Sequence, residues 1–75
     1  MFSEIIIHIN GTKSMTIENY KNILDYKENL ILLQGKLEII KITGKDFRID
    51  YFTHESMRLN GQIDKIEFQA NGKKK

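Results

Sequence analysis

At 75 residues and 8.8 kDa, the chain is long enough for one small domain and too short for two. Scaling of surface with mass predicts that folding buries only about 60–65% of the unfolded chain's surface, a thin core of a size that usually needs a partner. The lack of cysteine excludes disulfides and thiolate metal sites. With neither an 18-residue apolar run nor a basic, cleavable leader in the sequence, we expect a cytoplasmic protein.

The net charge of +2 comes from the end of the chain. Residues 73–75 are three lysines, and without them nine basic residues stand against ten acidic ones, a net charge of −1. We therefore expect a nearly neutral β domain over residues 1–72 and a disordered basic tail over residues 73–75. A nucleic-acid binder concentrates positive charge on its folded surface, so this charge distribution disfavours that class.

The pattern of the N-terminal third of the chain predicts two strands joined by a turn. Residues 3–9 alternate, with Ile5, Ile7 and Ile9 on one side of a predicted strand. Asn10-Gly11 is a turn pair, because both residues tolerate positive φ, and residues 14–17 begin the next strand.

Residues 18–33 fit two structures. Tyr20, Ile23 and Leu24 would share one helical face, but Lys27 interrupts that face and no capping box precedes it. Alternatively, Leu24 and Tyr26 share a strand face, and Leu30 and Leu32 follow a turn at residues 27–29. We favour strands, because a lone helix would interrupt a chain with a period of two elsewhere.

The C-terminal half alternates again. Phe47, Ile49 and Tyr51 alternate with polar residues, as Met57 and Leu59 do, and Asn60-Gly61 predicts a second turn before the last apolar residues, Ile66 and Phe68. We interpret the aromatic residues of segment 47–52 as core residues rather than as a base-stacking strand, which would contain glycine and more positive charge.

A repeat spans the same half. Shifting the chain by 26 residues aligns residues 31–42 with residues 57–68, so that apolar positions coincide, Gly35 meets Gly61 and Glu38 meets Asp64. Each copy contains a three-residue apolar step, Leu37 to Ile40 and Ile63 to Ile66, which predicts a β-bulge or a bend. The sequence therefore predicts an all-β domain of short antiparallel strands with two similar hairpin units, either sandwich-like or a short solenoid.

The sequence assigns no catalytic, cofactor-binding or metal-binding residue. His8 and His54 lack ligand spacing, and we interpret them as surface or turn residues. We expect the carboxylates of Glu38, Asp64 and Glu67 to face solvent. The Gly44 segment is not a phosphate-binding loop, because it lacks the Gly-x-x-x-x-Gly-Lys spacing. We expect no enzyme, no cofactor and no small-molecule substrate.

What remains is a domain with open sheet edges, which pair with other chains unless they are blocked. We expect a homodimer or a higher assembly. The alternative is a small β-barrel nucleic-acid module that uses Phe47, Tyr51, Phe52 and the lysines. A third hypothesis is a membrane adaptor that places the lysine tail on anionic lipid.

The order of segments resembles the YabP/YqfC family of sporulation proteins. Residues 14–26 (SMTIENYKNILDY) resemble the opening block of that family, and residues 30–33 and 40–49 follow as an apolar strand and a strand pair. Thr53-His54-Glu55 resembles its T-x-E-E turn, with Ser56 in place of the second acid. Residues 61–68 (GQIDKIEF) resemble its terminal block, the most specific part of the match.

This resemblance implies a mostly β protein made in the mother cell of an endospore-forming bacterium and needed late in spore development. It also implies a membrane-bound sporulation partner, and a location in the mother-cell cytoplasm or at the forespore membrane. It carries over no enzymatic activity and no catalytic residue.

Overall fold

The computed structural model describes residues 4–70, which form six strands and no helix. The strands are β1 (Ile6–Asn10), β2 (Ser14–Glu18), β3 (Asn22–Lys27), β4 (Leu30–Gln34), β5 (Glu38–Phe52) and β6 (Ser56–Ala70). They form one antiparallel sheet in the order β1-β2-β6-β5-β4-β3. The all-β prediction is confirmed, and residues 18–33 contain strands rather than the alternative helix. The predicted tail at residues 73–75 lies outside the described residues.

The sheet curls so that one of its faces encloses the core. Met15 on β2 and Ile31 on β4 are fully buried in the same apolar cluster, although two strands separate β2 from β4 in the sheet. No helix and no second sheet within residues 4–70 covers that face, so only the sheet itself can enclose these fully buried side chains. The buried hydrophobic residues are Met15, Ile17, Tyr20, Ile31, Leu33, Ile40, Ile42, Phe47, Met57 and Leu59.

The long strands β5 and β6 explain how one sheet can curl. Each has 15 residues, whereas their outer neighbours β4 and β2 have five. β4 pairs only with residues 39–43 of β5, and β2 pairs only with residues 56–60 of β6. Each long strand is therefore flanked on both sides over one half and has a free edge over the other.

The predicted turn at Asn60-Gly61 is wrong. Gly61 lies inside the continuous strand β6, where its φ of 139° is a conformation that favours glycine. A Cβ built on Gly61 would lie 2.8 Å from the carbonyl oxygen of Asp46 and 2.9 Å from the Cα of Phe47. Glycine is required because β5 passes close to a bend in β6, and not because the chain reverses.

The loop between β1 and β2 holds this bend in place. Residues 11–13 form the loop, which confirms the turn predicted at Asn10-Gly11, and Gly11 has a φ of 61°. The carbonyl groups of this loop accept two hydrogen bonds from β6. Gly61 N donates to Lys13 O at 3.0 Å, and Ile63 N donates to Thr12 O at 2.8 Å. These bonds satisfy backbone donors of β6 beyond the end of β2, so the strand bends without reversing.

The carbonyl groups of the loop between β3 and β4 accept hydrogen bonds from β5 in the same way. Gly44 N donates to Asn29 O at 3.1 Å, and Phe47 N donates to Glu28 O at 2.8 Å. Asp46 lies between these donors with a φ of 57°, at a point where β5 has one residue more than β6. The molecule therefore has an internal two-fold pseudosymmetry, in which hairpin β1-β2 with strand β6 corresponds to hairpin β3-β4 with strand β5.

The structure has this pseudosymmetry instead of the two similar hairpin units that the sequence predicted. Residues 31–42 do form a hairpin of β4 and β5, but residues 57–68 lie in the single strand β6. The bulge predicted between Ile63 and Ile66 is confirmed, because Asp64 is an extra residue opposite the step from Thr43 to Gly44. The step from Leu37 to Ile40 contains no bulge, because Leu37 lies in a bend between β4 and β5, which is the other alternative that the pattern predicts. The antiparallel strand order also excludes a solenoid for residues 4–70.

Candidate functional site

The first block of the family resemblance contains Asn19 and Tyr20, which form hydrogen bonds to the β5–β6 turn. We call this set of contacts the clamp. Tyr20, in the crossover from β2 to β3, is 4% exposed, and its hydroxyl lies within hydrogen-bond distance of Thr53 O (2.5 Å) and Ser56 O (3.2 Å). Burial raises the pKa of this hydroxyl above its ordinary value of 10.0. Asn19 has a φ of 72°, and its backbone N donates to Glu55 O at 2.8 Å. The crossover thus holds the β5–β6 turn.

The turn resembling the T-x-E-E motif is the other half of this clamp. Thr53 N donates to Ser56 O at 2.7 Å, and Thr53 Oγ1 accepts hydrogen bonds from the backbone N of Glu55 (3.3 Å) and of Ser56 (3.1 Å). Ser56 occupies the place of the second acid of the motif, and the turn closes through its backbone. These motif residues therefore position the long hairpin rather than carry chemistry.

The titratable residues singled out in the sequence do not converge. His8 is exposed on the edge strand β1, and His54 lies in the β5–β6 turn with its Nε2 3.8 Å from Glu55 Oε1. Of the three carboxylates expected to face solvent, Asp64 is exposed, whereas Glu38 and Glu67 are partly buried. Within residues 4–70, no group of three or more His, Asp or Glu side chains is placed to hold a metal ion.

The feature that stands out on the surface is an aromatic groove, defined by Ile23, Tyr26, Ile49, Asp50, Tyr51 and Phe52. It is an open groove of about 550 Å³ between the edge strand β3 and the free half of β5. Tyr26, Tyr51 and Phe52 are 46%, 49% and 60% exposed, respectively. Tyr26 spans the groove, since its hydroxyl donates to Phe47 O at 3.5 Å.

The sequence analysis assigned these aromatic residues to the core, and only Phe47, at 3% exposed, is there. Tyr51 is exposed because β5 has an extra residue, Asp50, between the positions that pair with Leu59 and Arg58, and this residue moves Tyr51 away from the face of Phe47 and Ile49. One signal was available: neighbouring residues on a strand point to opposite faces, so Tyr51 and Phe52 could not both be buried on one face.

The groove is mostly apolar, and its one charged lining residue is acidic. Asp50 Oδ2 lies 3.6 Å from Arg58 Nε, and both side chains are about half exposed. Burial of Phe47 removes one of the three aromatic residues that the nucleic-acid alternative needs, and none of the lysines within residues 4–70 lines the groove. Such a surface suits apolar side chains of a protein partner better than a phosphate backbone.

The fold and the groove together define a small antiparallel β domain with an exposed, mostly apolar, aromatic groove. The chain belongs to the YabP family, whose model matches residues 3–75. This match confirms the family resemblance seen in the sequence and covers the whole of the described structure.

Family membership is consistent with a sporulation-associated protein, and the YabP family is not known as a family of enzymes. No curated protein and no solved structure matches the chain significantly. In the part of the chain that the structure describes, no helix is long and apolar enough to cross a membrane.

Proposed function

We propose that this protein is a non-catalytic sporulation protein, needed late in spore development, that acts in the mother cell by binding other proteins through the aromatic groove. The observation that carries the proposal is the exposure of three aromatic side chains in one groove. Aromatic residues are enriched where protein interfaces form, because they bury a large area with few rotatable bonds.

The groove also offers backbone groups to a partner. β3 is an edge of the sheet, and residues 48–52 of β5 pair with β6 on one side and lie beyond the reach of β4 on the other. An extended segment with apolar side chains could bind the aromatic surface and also pair with the free edge of β5 at residues 48–52. In keeping with the family resemblance, we propose that the extended segment that binds the groove belongs to a membrane-bound sporulation protein.

The first experiment deletes the gene in its native spore former and counts heat-resistant spores, with vegetative growth as the control. We expect a steep loss of heat-resistant spores and normal growth. Normal spore counts, both in this deletion and in one that also removes any paralogue, would contradict the proposed function.

The second experiment complements the deletion with point variants. Phe52→Ser alters the groove, whereas Leu37→Ser alters a side chain of similar exposure (57% against 60%) in the β4–β5 turn. We expect Leu37→Ser to restore spore formation and Phe52→Ser to fail, with equal amounts of both proteins on immunoblots. Full complementation by Phe52→Ser would show that the groove is not the binding surface.

A further inference from the structure

Both ends of the sheet are open edges. Within residues 4–70, β1 pairs with β2 alone, and β3 pairs with β4 alone. The unpaired backbone donors and acceptors of an edge strand are a template for another strand, and natural proteins block such edges with charges and bulges.

The β3 edge carries both kinds of protection. Its pairing with β4 is shifted between Ile23 and Asp25, which makes the strand irregular at Leu24. It also carries two charged side chains, Asp25 and Lys27, whose carboxylate oxygen and ammonium nitrogen lie 3.8 Å apart. A strand that paired with this edge would meet a bulge and two charges.

The β1 edge has neither protection. All five of its residues pair with β2 in unbroken register. Its sequence, IIHIN, has no acidic residue, lysine, arginine, proline or glycine, and Ile9 is 50% exposed. A regular, uncharged and isoleucine-rich edge is the kind of strand that pairs with another chain.

We propose that β1 is a self-association edge, at which two copies of this chain pair antiparallel about a two-fold axis. The inference rests on the proposed function, because it supplies the self-assembly part of a protein that works through protein contacts. Pairing β1 with itself uses the same patch on both copies, so the interface closes at a dimer, and the two sheets join into one of twelve strands.

Charge favours a second copy as the occupant and sets its direction. β1 carries no acidic or basic residue other than His8. When it pairs with an identical strand, no two lysine, arginine or carboxylate side chains of the same charge therefore lie opposite each other. Glu4 precedes β1 and Lys13 follows it in the loop to β2, and both are exposed. Antiparallel pairing places the Glu4 end of each copy beside the Lys13 end of the other, whereas parallel pairing places like charges together.

One register satisfies these conditions well. With His8 on the two-fold axis, Ile7 of each copy lies opposite Ile9 of the other, so apolar residues meet on both sides of the axis. Paired β-branched residues stabilise antiparallel strands. This register also places the two copies of residue 8 directly opposite each other, which makes it testable by crosslinking.

Sedimentation equilibrium of the full chain tests the proposal with a matched pair of variants. Ile9→Lys puts a charge on the β1 edge, and Leu24→Lys puts the same charge on the β3 edge at a side chain of nearly equal exposure (50% against 46%). We expect the wild type and Leu24→Lys to sediment as dimers and Ile9→Lys at half their mass, with unchanged circular dichroism in all three. A monomeric wild type, or a dimer that only Leu24→Lys dissociates, would overturn the proposal.

Crosslinking is a second measurement that does not depend on weakening the dimer. The chain has no cysteine, so His8→Cys introduces a single thiol on the axis, and Leu24→Cys places one on the other edge. Under mild oxidation we expect a covalent dimer from His8→Cys and at least tenfold less from Leu24→Cys. Equal yields from the two variants would contradict the β1 interface.

The two proposals fail in different ways. A monomeric wild type whose gene deletion still abolishes heat-resistant spores would overturn β1 pairing and leave the proposed function standing. A dimer through β1 with normal spore counts after deletion of the gene and its paralogues would remove the proposed function and support the interface.

Discussion

The Tyr20 hydroxyl ties two distant parts of the chain together. It lies within hydrogen-bond distance of the carbonyl oxygens of Thr53 and Ser56, and its ring is 4% exposed. A buried hydroxyl that loses such a partner, or a carbonyl that loses its donor, destabilises a fold because water cannot replace it. The loss of this one hydroxyl is therefore expected to destabilise the fold.

Tyr20→Phe removes that atom and leaves the ring. We expect it to lower the free energy of unfolding by about 1–2 kcal/mol, measured by urea denaturation at neutral pH. Tyr51→Phe is the matched control, because the Tyr51 side chain is half exposed and its hydroxyl remains in contact with solvent. Equal midpoints for the two variants would show that the clamp contributes nothing to stability.

The raised pKa of Tyr20 predicts a pH dependence with a definite sign. The folded state disfavours the ionised phenolate, so the stabilisation is fully present below the ordinary pKa of 10.0 and is lost as the pH rises through the raised pKa of the folded state. We expect the stability difference between wild type and Tyr20→Phe to shrink on titration from about pH 9 to pH 11, followed by urea denaturation at each pH. A constant difference across this range would contradict the assignment.

Gly61 and Gly11 differ in the reason for which each must be glycine. Both have positive φ, but a Cβ on Gly11 would meet nothing within 4 Å, whereas one on Gly61 would meet the backbone of Asp46 and Phe47 within 3 Å. We expect Gly11→Ala to cost about 1–2 kcal/mol, the penalty of the backbone conformation alone. Gly61→Ala adds a steric clash, so we expect it to melt at least about 8 °C lower than Gly11→Ala in a thermal scan. Equal melting temperatures for the two variants would show that β5 does not pass close to Gly61.

At the scale of the element, burial follows alternation where a strand is regular. In β4, Ile31 and Leu33 are fully buried, while Leu30 and Leu32 are partly exposed. In the edge strand β3, Ile23 is half-buried, whereas its neighbour Leu24 is 46% exposed. Leucines that look alike in the sequence therefore differ sharply in what they contribute to the core.

Truncating one leucine on each strand measures this difference. We expect Leu33→Ala to destabilise the fold by about 2–5 kcal/mol, because it leaves a cavity among fully buried side chains. We expect Leu24→Ala to cost less than about 0.5 kcal/mol, as is usual for surface substitutions. Chemical denaturation of both variants checks the assignment, and comparable losses would mean that Leu24 also packs into the core.

At the scale of the whole molecule, charge and surface shape argue against nucleic acid as a partner. The net charge is +2, and the aromatic groove holds a carboxylate and no lysine. We expect no binding of a fluorescent single-stranded oligonucleotide at low salt, measured by anisotropy, because too few phosphates would be neutralised. Binding that falls steeply with salt and is lost in Phe52→Ser would instead support the alternative module.

The sequence alone predicted the elements that depend on neighbouring residues. Alternation identified most of the strands, Asn10-Gly11 identified the first turn, and the order of segments identified the YabP family. Within the apparent repeat, the apolar residues Ile40 and Leu59 are fully buried, whereas Leu37 and Phe68 are more than half exposed.

The tertiary structure decided what depends on partners that are distant in the chain. Asn60-Gly61 has the local signature of a turn, but carbonyl groups of Thr12 and Lys13, about 50 residues earlier, accept the hydrogen bonds that let β6 continue through a bend. Likewise, the exposure of Tyr51 depends on where β5 acquires an extra residue relative to β6. Local pattern determines which residues can form a strand, whereas the competition for backbone hydrogen bonds between distant segments decides where that strand bends and which of its faces is buried.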